Sequence, residues 1–496
     1  MKNTVQKRLA FLLALAMVMS LFSFPAFAEG TDEQGTGEKK AVRTIMLYDC
    51  GANLETYGGM ATYNLMQILR ANFSADDDVR FIVMTGGSEK WQTESKYLYD
   101  PAAGESPAEI NTEYNQIWEA RGLDAADPAQ RGKLVLVDGD GVLGDGENAK
   151  PAAIQDEDLV YDEDWGDWWF DFDKISNYEW MSDPDVLKAF INFCAEKYPA
   201  ENYDLILWDH GGGPLGGFGS DEIDPGGGFA SMSFAEIIDA LYDNDVVKKG
   251  NGQKFDFVDF DACLMNGVEF NLALAGCTKY YIASPETEPG YGQDYEGWLN
   301  ALGKNPNMDT YALGKLIVDD FTAFYDKEEG DGSTQDGTLA VVDMEKLLTS
   351  DLVKDLIELV RLLNKSSEWF YYDEFRSLAA SMEYGDMDYV DLGNFVSQLG
   401  FAYKEANYGN LDENDQIIDS NDYTACAESL LAVLNDPSIL YARGTKGIHT
   451  DAQYYRDADG TMKFGTQGTS GLYIFFPKSD AASEAADYYD LIGEIL

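Results

Sequence analysis

The chain has 496 residues, with 89 Asp or Glu against 35 Lys or Arg and a formal charge of −54. Such a surplus of carboxylates excludes nucleic acid as a partner, because its phosphates would be repelled, and favours cationic partners or Ca2+ through long-range steering. Five scattered cysteines without a C-x-x-C pair exclude a dense disulfide scaffold and a zinc cluster.

In chain order, Lys2, Lys7 and Arg8 precede a largely apolar run over 9–22, and Ala26-Phe27-Ala28 fits the small-x-small cleavage rule. Residues 1–28 are therefore read as a signal peptide, which makes the protein secreted and extracellular, and 29–41 as a flexible leader. No later run reaches the ~18 apolar residues of a membrane span. A strand at 42–48, a helix from Asn53 to about 72 and a strand at 80–85 set a strand–helix–strand rhythm, which indicates a mostly parallel α/β sheet.

Residues 86–180 read as an insertion. It holds a strand candidate at 134–137 and an acidic turn, Asp138-Gly139-Asp140-Gly141, which does not match EF-hand spacing. Its aromatic cluster, Trp165, Trp168, Trp169 and Phe170, is expected mainly to pack the insertion onto the core, with glycan or peptide binding as the alternative. Ser182-Asp183-Pro184 caps a helix to about 198, and further helices are expected over 233–247, 266–275 and 308–325. Strands are expected at 280–283 and 338–343, with a Pro/Gly loop over 284–295. The sequence divides into a core over 42–343 and a mainly helical C-terminal subdomain over 344–496 with a final strand at 471–477.

Two apolar runs each end on one reactive side chain: Leu205-Ile206-Leu207-Trp208 runs into His210 and three glycines, and Phe257-Val258-Asp259-Phe260 runs into Asp261-Ala262-Cys263. Near-continuous apolar runs suit strands buried on both faces of a parallel sheet, and ligands bind beyond the carboxyl ends of such strands. A Cys–His site follows, in which His210 is the general base and Cys263 the nucleophile of an acyl transfer. The backbone N–H groups of Gly211 and Cys263 are the candidate oxyanion donors. If a helix opens at Leu264, its positive end would favour the Cys263 thiolate. His-Gly-Gly-Gly also suits a lipase oxyanion loop, but the chain has no G-x-S-x-G elbow.

The strand into Asp209-His210-Gly211-Gly212, followed by the strand into Asp261-Ala262-Cys263-Leu264-Met265, resembles the clostripain family of cysteine peptidases, relatives of the caspases. Ile45-Met46-Leu47-Tyr48, the stretch Ala283-Ser284-Pro285-Glu286 with Gly290, and Gly471-Leu472-Tyr473-Ile474 support the likeness. The resemblance implies a caspase-like αβα sandwich and a secreted endopeptidase acting through a His210–Cys263 dyad. It also implies cleavage after Arg, with Lys as the alternative, and places Asp261 in the primary specificity pocket. A carboxylate there can pair with a guanidinium. Self-cleavage at a basic residue is implied too, for which Lys248, Lys249 and Lys254 are the candidates between His210 and Cys263. The chemistry requires no cofactor; Ca2+ dependence is the one cofactor option the family leaves open. The competing reading is a non-catalytic exported protein that uses the aromatic insertion to hold a cell-wall glycan or peptide.

Overall fold

The computed structural model describes residues 40–73, 78–93, 108–144, 148–162, 167–225, 231–247, 252–327, 336–365, 383–384, 388–397, 420–445, 455–456, 462–463 and 469–476. Residues 1–39, Trp165 and the Lys248–Lys249 pair lie outside these residues, and Ala41, expected to end the flexible leader, already belongs to the first strand.

Ten strands make up most of the architecture. They are β1 (Ala41–Cys50), β2 (Val79–Gly86), β3 (Gln116–Arg121), β4 (Lys133–Asp138), β5 (Leu159–Asp162), β6 (Asp167–Phe170), β7 (Ala200–Trp208), β8 (Phe255–Asp261), β9 (Thr278–Ala283) and β10 (Thr338–Asp343). The strand Leu440–Gly444 joins eight of them in one nine-stranded sheet, with β9, β8, β7, β1 and β2 as its neighbouring central strands. Those five run parallel. Antiparallel strands flank them, β3 and β4 at one edge, β10 and Leu440–Gly444 at the other.

Side chains alternate between the faces of each strand. From β1, Met46 and Tyr48 enter a core with the helices Pro184–Lys197, Phe234–Tyr242 and Val268–Leu274. Ile45 and Leu47 enter a second core with Met60–Arg70, Tyr295–Lys304 and Thr310–Tyr325. This is the expected αβα sandwich with a mostly parallel centre.

The amino edge of the parallel strands carries a buried ion network. The guanidinium of Arg43 pairs with Asp204 at 2.6 Å and Asp256 at 3.3 Å, and donates to Thr310 Oγ1 at 2.9 Å. Lys279 neutralises the other Asp256 oxygen at 2.7 Å. Five chain segments are thereby pinned at one end of the sheet.

Several elements differ from the sequence reading. The helix expected from Asn53 to about 72 is two helices, Ala52–Gly58 and Met60–Arg70, divided at Gly59. Strand β3 and the helix Tyr295–Lys304 were not anticipated, since Gly297 and the preceding Gly/Pro loop mask the helical periodicity. The region after 344 holds helices, including Met344–Thr349, Leu352–Lys365 and Ser420–Leu434, but also donates the strand Leu440–Gly444 to the main sheet. In the insertion, Phe170 packs with Tyr178 and Trp180 in a small cluster apart from both cores. Trp168 and Trp169, expected to pack, are largely exposed. The cause is geometric: they stand on a two-stranded ribbon, and only the Phe170 end of it reaches Trp180.

Candidate active site

β7 and β8 are neighbours in parallel register, with Trp208 opposite Asp261. His210 and Cys263 each lie two residues beyond this matched pair. Adjacent strands are about 4.8 Å apart, so both reactive residues leave the sheet side by side at its carboxyl edge. Their turns touch. A Cβ on Gly211 would stand 2.3 Å from the Cys263 carbonyl oxygen and 2.9 Å from Met265 Sδ, so only glycine lets the histidine turn close on the cysteine turn. The two amides named as oxyanion donors therefore sit on adjoining turns.

The helix after a third strand contributes Asn53, which the sequence marked as a helix start but not as a site residue. Asn53 lies in the first helical turn after β1, and its Oδ1 is 2.8 Å from His210 Nε2. With the amide oxygen as acceptor, Nε2 carries the proton and Nδ1 keeps the basic lone pair. Burial lowers the His210 pKa below its ordinary value, so the imidazole is neutral and able to take a proton near pH 7.

The Cys263 turn departs from expectation. No helix opens at Leu264; the next helix starts at Val268, capped at Gly267. Leu264 instead has φ +61°, a left-handed conformation that costs a branched residue on the order of 1–3 kcal/mol. Tyr473 holds the Leu264 carbonyl at 2.6 Å, Tyr281 holds that of Met265 at 2.8 Å, and Leu264 N–H donates to Glu286 O at 3.0 Å. Without a helix end to favour the thiolate, burial pushes the Cys263 thiol up, partly offset by the Glu288 N–H that donates to Sγ at 3.2 Å. At rest the site pairs a neutral thiol with a neutral imidazole. All five cysteines are free.

Asp261 is buried beneath the loop after β9. Its Oδ2 accepts from Tyr295 OH at 2.7 Å and Gln293 N at 3.1 Å. Gly292 (φ +60°) is required over it, because a Cβ there would meet the carboxylate at 2.7 Å. Burial raises Asp261 to about 6 despite these donors. Asp259 and Glu288 are buried beside it and lie well above the usual carboxylate range, first through desolvation and then through repulsion from Asp261. The protonated Glu288 carboxyl faces Asp261 and can donate to it, whereas one Asp259 oxygen has no hydrogen-bond partner. Among the described residues no Lys or Arg pairs with these three. The amino edge of the sheet is neutralised by Arg43 and Lys279; the carboxyl edge is acidic and uncompensated. Glu288 escaped the sequence reading because nothing in Glu286-Thr287-Glu288 tells which carboxylate turns inward.

Of the three lysines, Lys254 is half-buried and its Nζ donates to Ala275 O at 2.7 Å; Lys248 and Lys249 lie outside the described residues. Among the described residues no group of three or more His, Cys, Asp or Glu is placed to hold a metal ion, and no helix is long and apolar enough to cross a membrane.

Comparison with known proteins identifies the family and the fold. The clostripain family model, Peptidase_C11, matches residues 124–490. Clostripain of Hathewaya histolytica is 24% identical over 316 residues, 54% of this chain and 56% of that protein, so the match spans little more than half the length of that relative. A secreted C11 cysteine protease of Bacteroides thetaiotaomicron, solved with an irreversible peptide inhibitor, superposes with a TM-score of 0.50 at 16% identity, covering 91% of this chain and 99% of the other. An inactive zymogen C11 protease of Parabacteroides distasonis gives 0.50 at 16% identity, covering 93% and 99%. At that identity the likeness establishes the fold. Together with the family match over most of the sequence, it shows that the chain belongs to the clostripain family.

Proposed function

We propose that this protein is a secreted cysteine endopeptidase that hydrolyses peptide bonds after Arg, with Lys as the second choice. The observation that carries the reading is the register of Trp208 with Asp261, which delivers His210 and Cys263 to one edge of adjacent parallel strands. In the proposed reaction Nδ1 of His210 takes the Cys263 proton, and the sulfur attacks the scissile carbonyl carbon. The resulting oxyanion is held by the N–H groups of Gly211 and Cys263. His210 then returns the proton to the leaving amine, which leaves a thioester on Cys263. Water, deprotonated by the same imidazole, attacks the thioester, releases the acid and restores the thiol.

The uncompensated carboxylates Asp259, Asp261 and Glu288 support selectivity for a basic residue. Asp261 is the most readily ionised of this buried carboxyl cluster, and with no internal cation beside it a guanidinium or ammonium from the substrate would stabilise its charge and draw protons off its neighbours. Gln293 and Tyr295 hold Asp261 until that cation arrives. Export rests on the signal peptide read at 1–28, and self-cleavage rests on the dibasic pair Lys248–Lys249, with Lys254 less suited because its ammonium is tied to Ala275. The chemistry itself needs no metal, and Ca2+ dependence is a separate proposal that rests on the family resemblance and the acidity of the chain.

The test is a panel of fluorogenic peptides differing only in the residue before the cut, given to the wild type and to Cys263→Ala with Ca2+ or chelator. Cleavage after Arg or Lys that disappears in the variant supports the reading. Cleavage after uncharged residues, or none by a folded protein with its dibasic pair already cut, overturns it.

A further inference from the structure

The ribbon β5–β6 presents apolar side chains on both faces. Leu159 pairs with Phe170, Val160 with Trp169, and Tyr161 with Trp168. The first pair is anchored: Phe170 meets Trp180 edge-on at 5.7 Å, Tyr178 stacks on Trp180 at 5.1 Å, and Trp180 Nε1 donates to Ala152 O at 3.0 Å. The next two pairs run past this anchor. Trp168 is 60% exposed and Tyr161 52%, their rings meeting edge-on at 5.3 Å; on the other face Trp169 is 52% exposed and Val160 49%. Phe172 and Ile175, in the short helical turn Phe172–Asn177 that follows, are exposed to a similar degree. Six of the large exposed apolar side chains of the described residues thus gather in sixteen positions of sequence. Exposed apolar patches of this kind mark interaction sites.

The charge of this surface selects the partner. Of the described side chains here, Asp156, Glu157, Asp158, Asp171 and Asp173 are acidic and Lys174 alone is basic, paired with Asp158 at 3.6 Å. Asp156, Glu157 and Asp173 stand exposed beside the aromatic rings. Aromatic faces attract Lys and Arg head groups, and the carboxylates add long-range attraction while repelling anionic partners. The ribbon is also tied to the catalytic edge. Eleven residues after Phe170 the chain reaches Met181, whose N–H donates to Asp221 at 2.7 Å and whose carbonyl accepts from Tyr48 OH at 2.8 Å. Tyr48 is two residues from the carboxyl end of β1, the strand that leads to Asn53.

We infer that β5–β6 is a docking site for cationic amphipathic polypeptide segments, in which Trp168, Trp169 and Tyr161 take the partner's apolar face and the surrounding carboxylates its Lys and Arg side chains. The site is separate from the cleavage chemistry and binds its partner whether or not Cys263 reacts. In a protein substrate it would hold a basic, apolar segment away from the residue being cut, and so raise the effective concentration of the neighbouring bond.

The experiment titrates Cys263→Ala protein with a peptide of Leu and Lys that forms one apolar and one cationic face, and with its Leu and Glu counterpart, by calorimetry at low and high NaCl. Mass spectrometry confirms that the peptide stays intact. The Leu/Lys peptide is expected to bind with salt-sensitive affinity and the Leu/Glu peptide not at all. Trp168→Ser with Trp169→Ser, added to the same background, is expected to weaken binding at least on the order of tenfold. Asp156→Lys with Glu157→Lys, which leaves the rings in place, is expected to weaken it mainly at low salt. In the otherwise wild-type chain, these substitutions are expected to leave the hydrolysis of a short fluorogenic peptide unchanged. No binding, equal binding by the ring variant with an unchanged melting temperature, or salt-insensitive binding of a neutral cell-wall glycan instead would each overturn the inference. None of these outcomes bears on the fluorogenic-peptide test of the cleavage reading.

Discussion

Asn53 Oδ1 lies 2.8 Å from His210 Nε2, although 157 positions separate the two residues in the chain. The contact joins the carboxyl ends of β1 and β7 and sets which imidazole nitrogen is basic. Asn53→Ala should lower kcat by roughly 10- to 100-fold, as for other groups that orient a histidine, with KM little changed. Asn53→Asp should also raise the His210 pKa, because a carboxylate favours the imidazolium, and shift the acid limb of the kcat profile to higher pH. A pH–rate profile for both variants checks this. Unchanged profiles would remove Asn53 from any positioning role.

On the proposed reading, Asp261→Asn keeps the side-chain shape and removes the carboxylate two residues before Cys263. The loss of a desolvated charge pair is on the order of 2–5 kcal/mol in kcat/KM for an Arg substrate. Glu288→Gln should act in the same direction and less strongly, since Glu288 holds its proton well above the usual range. Steady-state kinetics on matched Arg and Lys peptides measures both, and equal loss on a neutral substrate would count against a pocket role.

The buried acids also set a pH dependence of stability. Asp261 and Asp221 are raised to about 6, and Asp49, Asp209, Asp259 and Glu288 are raised well above the usual carboxylate range, each chiefly through burial. The unfolded chain releases these protons near pH 4, whereas the folded chain keeps them to higher pH, about 6 for Asp261 and Asp221. Stability from these groups is therefore full below about pH 4 and is lost as pH rises through the folded values. Repulsion within the acidic chain acts in the same sense. The melting temperature should fall between pH 5 and pH 8, and a small guanidinium ligand such as agmatine should restore part of it at pH 8. A melting temperature that rises over that interval would contradict the acidic-edge description.

Arg43→Met removes the cation that joins β1, β7, β8 and the helix Thr310–Tyr325. Asp204 would be left buried without its partner, at a cost of about 3–5 kcal/mol. Urea denaturation should show that loss. The site lies at the other end of the sheet, so the kcat of the protein that remains folded should be near the wild-type value.

The parts legible in the sequence were those governed by local pattern. The apolar runs ending at Trp208 and Asp261 marked the two strands, and the residues two places beyond them, His210 and Cys263, are the candidate pair that the strand register puts side by side. What stayed hidden depends on contacts far apart in sequence. Asn53 reads as a helix start until β1 is placed beside β7, and Tyr473 reads as part of a late strand until its hydroxyl reaches the Leu264 carbonyl. Leu264 itself carries no glycine to announce a positive φ, so a helix was the natural expectation at a position where two tyrosines and the Glu286 carbonyl hold a turn instead. Trp168 and Trp169 suggested packing by composition, and only the pairing of β5 with β6 shows that the ribbon leaves them outside.

The most direct measurement is covalent trapping. An Arg-terminated peptidyl chloromethyl ketone, incubated with the wild type and with His210→Ala near neutral pH, would be followed by digestion and mass spectrometry. One adduct is expected, on Cys263, forming quickly in the wild type and slowly in the variant. A cleaving enzyme that is labelled on another cysteine, or labelled at Cys263 at the same rate without His210, would contradict it.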